Sequence, residues 1–177
     1  MMSPEKVLKE IFVQLPVSVI DGENYPVTFS WGSQKDCNAH LASIVSTNKY
    51  PLVWYVPNEV VRVVEEQNVR IKLILAKNSQ NQNSLNPEVW DREFETVLDP
   101  LLENVRKALE RSNKTMIVGK TDTVYRSANY SAYTPDELRR EGGQDETKQI
   151  DIWNVIVFEC DLKILGDVYC IQTINFN

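Results

Sequence analysis

The chain reads as an α+β fold, with helices laid against a mixed β-sheet, and three observations predict it. Across residues 86–113 the apolar side chains Trp90, Phe94, Val97, Leu98, Leu101, Leu102, Val105, Ala108 and Leu109 recur by threes and fours, which is one face of a long helix. Residues 50–56, YPLVWYV, are almost unbroken apolar and aromatic, the pattern of a strand buried on both faces. Residues 69–76 and 151–165 supply two further long strands, and together the three are the apolar surfaces long enough to take the helix stripe.

The elements follow in order. Ser3-Pro4-Glu5 gives a cap, a first helical residue and an acid for the helix dipole; Val7, Leu8, Ile11, Phe12 and Leu15 then line one face until Pro16. Asp21-Gly22 is a turn signal between residues 17–20 and 25–29, predicting a hairpin or an irregular strand pair. Ser33-Gln34-Lys35-Asp36 has the form of a capping box, and Cys37, Leu41, Ile44 and Val45 carry a second helix to Asn48. After the strand at 69–76, residues 77–85 form a polar loop, long enough to reach out from the body. Asn86 caps the long helix and Pro87 opens it. Glu88, Asp91 and Glu93 complement its positive end. Pro100 cannot continue a regular hydrogen-bond ladder, so the sequence predicts a kink there or a second helix capped by Asp99. Residues 115–119 are another strand. In 151–165 both faces are apolar at first, and then Glu159, Asp161 and Lys163 share one face opposite Cys160, Leu162 and Ile164. Residues 120–150, with Tyr125, Tyr130, Tyr133 and Gly142-Gly143, read as an inserted loop or arm, in which Thr134-Pro135-Asp136-Glu137 could start a short helix.

The totals bound the rest. A chain of 177 residues with 42% hydrophobic content suits one core, so residues 1–177 are expected to form a single domain carrying the arm. No apolar run approaches the roughly 20 residues a bilayer span needs, and the charged start MMSPEKVLKE is unlike a secretory signal; no membrane contact is expected, and the chain should stay in the cytoplasm where it is made. Cys37, Cys160 and Cys170 lack CxxC spacing and accompany a single His, which indicates neither a disulfide framework nor a zinc site. A net charge of −6 argues against gripping nucleic acid by its phosphates, though an acidic protein suits the wall of a path that DNA slides through.

The motifs with chemical potential are few. Asp161-Leu162-Lys163, with Asp151 and Asp145 upstream, has the outline of a D…(D/E)xK nuclease core, in which two carboxylates hold a divalent ion and the lysine positions water; so loose a pattern arises often by chance, and alternating charges on the wet face of a strand are the preferred account. His40 has no G-x-S-x-G or cysteine nucleophile near it and reads as a helix-surface residue. Gly119-Lys120-Thr121 ends like a phosphate loop, but the required earlier glycine is replaced by Lys114. The tyrosines and arginines between Tyr125 and Arg140 are types favoured at interfaces. No catalytic, cofactor-binding or metal residue is assigned, and no cofactor is implied.

Taken together, Phe29-Ser30-Trp31-Gly32, Lys49-Tyr50-Pro51-Leu52-Val53-Trp54-Tyr55, Ala76-Lys77-Asn78-Ser79, Trp90-Asp91-Arg92-Glu93-Phe94 and Val97-Leu98-Asp99-Pro100-Leu101-Leu102 stand in a recognisable order. The chain resembles the tail-terminator or tail-completion type of head–tail connector protein of tailed bacteriophages, especially those of Bacteroides, including crAss-like phages. The resemblance covers Phe29 to about Leu109 and, more loosely, the last strand. It implies a tail-terminator-like mixed sheet covered on one side by helices. It also implies a virion protein without catalysis, assembled in the host cytoplasm into a homo-oligomeric ring, sixfold or twelvefold. Other connector, portal or tail proteins would be its partners, and DNA would pass through the lumen without sequence-specific binding. The arm at 120–150 and the first helix depart from the family pattern.

Overall fold

A computed structural model of the chain describes residues 3–44, 49–57, 61–63, 66–78, 87–119, 122–130, 153–165 and 171–177. The architecture is α+β. Helix α1 (Pro4–Phe12) leads to a two-stranded hairpin, β1 (Ser18–Ile20) and β2 (Glu23–Tyr25). Strand β3 (Thr28–Trp31), helix α2 (Gln34–Ser43) and strands β4 (Leu52–Val56), β5 (Val61–Val63) and β6 (Glu66–Asn78) follow. Then come α3 (Pro87–Val89), a π-helix (Trp90–Leu98) and α4 (Asp99–Arg111) in one run, and finally β7 (Thr115–Ile117), β8 (Thr123–Tyr130) and β9 (Trp153–Ile164).

Seven strands form one mixed sheet in the order β3-β4-β6-β9-β7, with β5 added to β6 and β8 to β9. The β3–β4 pair is parallel and the others are antiparallel. β6 and β9 are its spine, paired from Gln67–Ile164 to Asn78–Trp153. Alternation on these strands decides the two faces. Val53, Tyr55, Ile71, Leu73, Leu75, Ile156 and Phe158 point to the face covered by α1, the π-helix and α4, where they meet Leu8, Phe12, Phe94, Leu98, Leu101 and Val105. The long helix therefore packs over the strands that its stripe predicted.

The opposite face is not bare. Trp54, Ile74, Ala76, Trp153 and Val155 form a second core with Cys37 and Leu41 of α2, so helices cover the sheet from both sides instead of one. The reason lies in the sequence of β4: Leu52, Val53, Trp54 and Tyr55 are all fully buried, and neither face of such a strand can be left to water.

Three local expectations need correcting. The hairpin forms around Asp21 and Gly22, which take the positive φ angles of 52° and 82°, but its second strand stops at Tyr25. Pro26 has no N–H to pair, and Thr28–Trp31 joins the main sheet instead. Helix α2 ends at Ser43, whose hydroxyl donates to the His40 carbonyl at 2.7 Å and competes with the helical ladder; Ile44 is extended, and Val45 to Asn48 lie outside the described residues. At Pro100 a second α-helix does begin, at Asp99 with the proline in its first turn, but the cap is Leu98 and not Asp99: Leu98 keeps helical dihedrals of −78° and −37°, so α4 continues directly from the π-helix without a side-chain cap.

The proposed loop and arm are also partly strand. Lys77 and Asn78 complete β6, and residues 123–130 pair with β9 as β8, tied to α4 by an Arg126–Asp99 ion pair of 2.5 Å. The remaining loop residues and residues 131–152, with Thr134 to Glu137, lie outside the described residues. Among the described residues no helix is long and apolar enough to cross a membrane.

Candidate functional site

The polar residues that the fold draws together are not those of the nuclease-like, histidine or phosphate-loop patterns. A cleft of about 310 Å³ opens where the β1–β2 hairpin, the segment before β4, the end of β6 and the π-helix meet. The hairpin contributes Ile20, Asp21 and Tyr25; Tyr50 stands before β4; Lys77 and Asn78 end β6; and Arg92 projects from the π-helix. The volume matches the small end of ligand pockets.

Behind this cleft lies a buried polar framework. Glu93 and Asn154 are each 1% exposed, and the Asn154 amide donates to the Glu93 carboxylate. Arg92 donates to the other Glu93 oxygen at 3.1 Å, so the carboxylate holds the guanidinium in place. Lys77 is paired in register directly opposite Asn154. On the other side of the sheet the Trp153 indole donates to the Tyr50 hydroxyl at 2.8 Å, fixing that ring. π-Helices are rare and concentrate at functional sites; here the wide turn holds Trp90 and Phe94 stacked at 4.7 Å while turning Glu93 inward.

The electrostatics are uneven. Half-burial of Lys77 lowers its pKa from the ordinary lysine value; the nearby charge of Glu93 opposes the shift, Arg92 adds to it and Asp21 opposes it. Tyr25 donates to Glu23 at 2.9 Å, and that hydrogen bond, followed by the Glu23 charge, raises its pKa.

The sequence motifs fall elsewhere. Asp161 and Glu159 share the wet face of β9 and both pair with Arg70 of β6, at 3.2 and 3.4 Å. Lys163 stands two residues on, while Asp145 and Asp151 lie outside the described residues. Among the described residues no three His, Cys, Asp or Glu side chains cluster as a metal site would need. His40 is half-buried on α2, 6.0 Å from the Trp54 ring, and burial lowers its pKa. Gly119 takes a positive φ of 91° after β7; Lys120, Thr121 and Tyr133 lie outside the described residues. Tyr125 is 55% exposed on β8, and Cys37 and Cys160 are buried without a disulfide.

One signal for the cleft was present in the chain. Glu93 is three residues after Trp90 and four before Val97, on the apolar stripe itself, where a carboxylate must be buried with a partner. Asn154 similarly interrupts an apolar strand run.

No protein-family model, no curated protein and no solved structure matches this chain.

Proposed function

We propose that the chain is a non-catalytic structural component of a tailed-phage virion, one subunit of a closed ring at the head–tail connector, neck or tail terminus. DNA passes through the lumen without sequence-specific contact, and the fold is of the tail-terminator type. The observation that carries this reading is where the resembling segments fall. They lie on β3, β4, the π-helix and the start of α4, which share one core around Val53, Tyr55, Phe94 and Leu98, and on the end of β6, where Ala76 joins the second core.

The surface is consistent with assembly. A ring of identical copies joins two different surfaces of each subunit. Two sets of exposed apolar side chains are available on separate elements: Val13, Val17 and Val19 after α1, and Met116, Val118 and Tyr125 along β7 and β8. The net charge of −6 suits a wall that must not retain phosphates, because each cation–phosphate contact adds a salt-sensitive attraction.

Size-exclusion chromatography with light scattering, followed by duplex-binding and magnesium-dependent cleavage assays, tests the reading. A discrete oligomer of about six or twelve copies, with no binding at moderate salt and no cleavage, is the expected result. Cleavage that is abolished by Asp161→Asn would replace the connector by the nuclease alternative, since only a metal site makes that carboxylate indispensable.

A further inference from the structure

We propose that the cleft beside the π-helix binds an oxyanion group, a phosphate or a carboxylate borne on a small ligand. Among the described residues Lys77 makes no ion pair although it is half-buried, Asn78 makes no side-chain hydrogen bond, and Arg92 commits one guanidinium nitrogen to Glu93. Three neighbouring side chains thus present unused donors to one space. A half-desolvated ammonium that has only the charges of Glu93 and Asp21 nearby, and no ion pair with either, is unfavourable, and an entering anion relieves that cost while forming charge-assisted hydrogen bonds.

The framework behind the donors favours a ligand over a chance gap. Glu93 and Asn154 are almost wholly enclosed, and a buried carboxylate held by an amide contributes little net stability to a fold. Its geometric effect is to aim Arg92 at the cleft. Asp21 is the opposing feature: its carboxylate lies on the same wall, makes no ion pair with Lys77, and limits affinity by repulsion. The site therefore has two handles of opposite sign.

Calorimetric titration of the full chain with inorganic phosphate, and separately with acetate, tests the proposal at low ionic strength. One saturable site is expected. Lys77→Met, which keeps the aliphatic stem, should weaken it at least about tenfold, and Asp21→Asn on the exposed turn should tighten it severalfold. Phosphate binding without acetate binding assigns a phosphate-bearing ligand; comparable binding of both assigns a carboxylate. Absence of saturation with either anion overturns the proposal, as does an affinity unchanged in Asp21→Asn or in a Lys77→Met protein that melts like the parent. Oligomeric state does not enter these readouts, so failure here leaves the ring reading standing or falling on its own test.

Discussion

Phe94 is fully buried, stacked on Trp90 and part of the core that also holds residues of β4, β6 and β9, so its removal reports on how the long helix is seated. Phe94→Ala should cost about 3–5 kcal/mol, read as a lower denaturant midpoint; an unchanged midpoint would contradict the packing. His40 carries a pH signature. Its folded pKa is lowered by burial, so around its ordinary value the unfolded chain binds more protons. Stability should then rise with pH across that window and fall on acidification. His40→Gln should lose less stability than the parent between about pH 8 and about pH 5, and equal losses would refute the assignment. Cys160 is the reverse case: burial, then the charges of Asp122 and Asp161, push its thiol up to about 12. Peptide mapping after iodoacetamide at about pH 8 should find it unmodified in the folded protein and modified after unfolding.

Among the elements, what was legible followed side-chain periodicity or local hydrogen bonding. The Ser33–Asp36 box forms as its spelling predicts, with the Asp36 carboxylate accepting from the Ser33 N–H at 2.8 Å. Strand β9 shows the passage from two buried faces to one that its alternation announced. The π-helix was not legible, because apolar residues spaced by threes and fours fit both helical ladders, and the choice depends on how Glu93 and Pro100 are accommodated. β8 was missed since its charged and polar residues, such as Arg126 and Ser127, resemble a loop until Asp99 and the β9 edge supply their partners. The cleft was missed for a similar reason: its residues come from four stretches of chain that only the sheet brings together. Two junctions can be tested. Gly32 has a φ of 133°, and a Cβ there would lie 2.6–2.9 Å from the Asp36 side chain, so Gly32→Ala should break the capping box and cost about 1 kcal/mol or more in thermal unfolding. Lys114 is almost wholly buried and reaches Glu10 at 2.5 Å, joining β7 to α1. Glu10→Gln should destabilise by about 1–3 kcal/mol, whereas Lys114→Met, which removes the buried charge itself, should cost less.

For the whole molecule, β9 decides more than its share of the sheet suggests. It pairs along its length with β6 on one edge and with both β7 and β8 on the other. Yet its residues follow their β6 partners by 75 positions at Asn78–Trp153, rising to 97 at Gln67–Ile164. During synthesis β6 therefore emerges long before the strand that joins it to β7 and β8, and the edge that β9 will cover stays open to other chains. A nascent polypeptide stalled ahead of Trp153 holds β3 to β6 with one edge open and β7 and β8 still lacking β9, exposed to aggregation and to chaperone capture. Completion of β9 is the moment at which the ribosome's product changes from a client into a closed sheet.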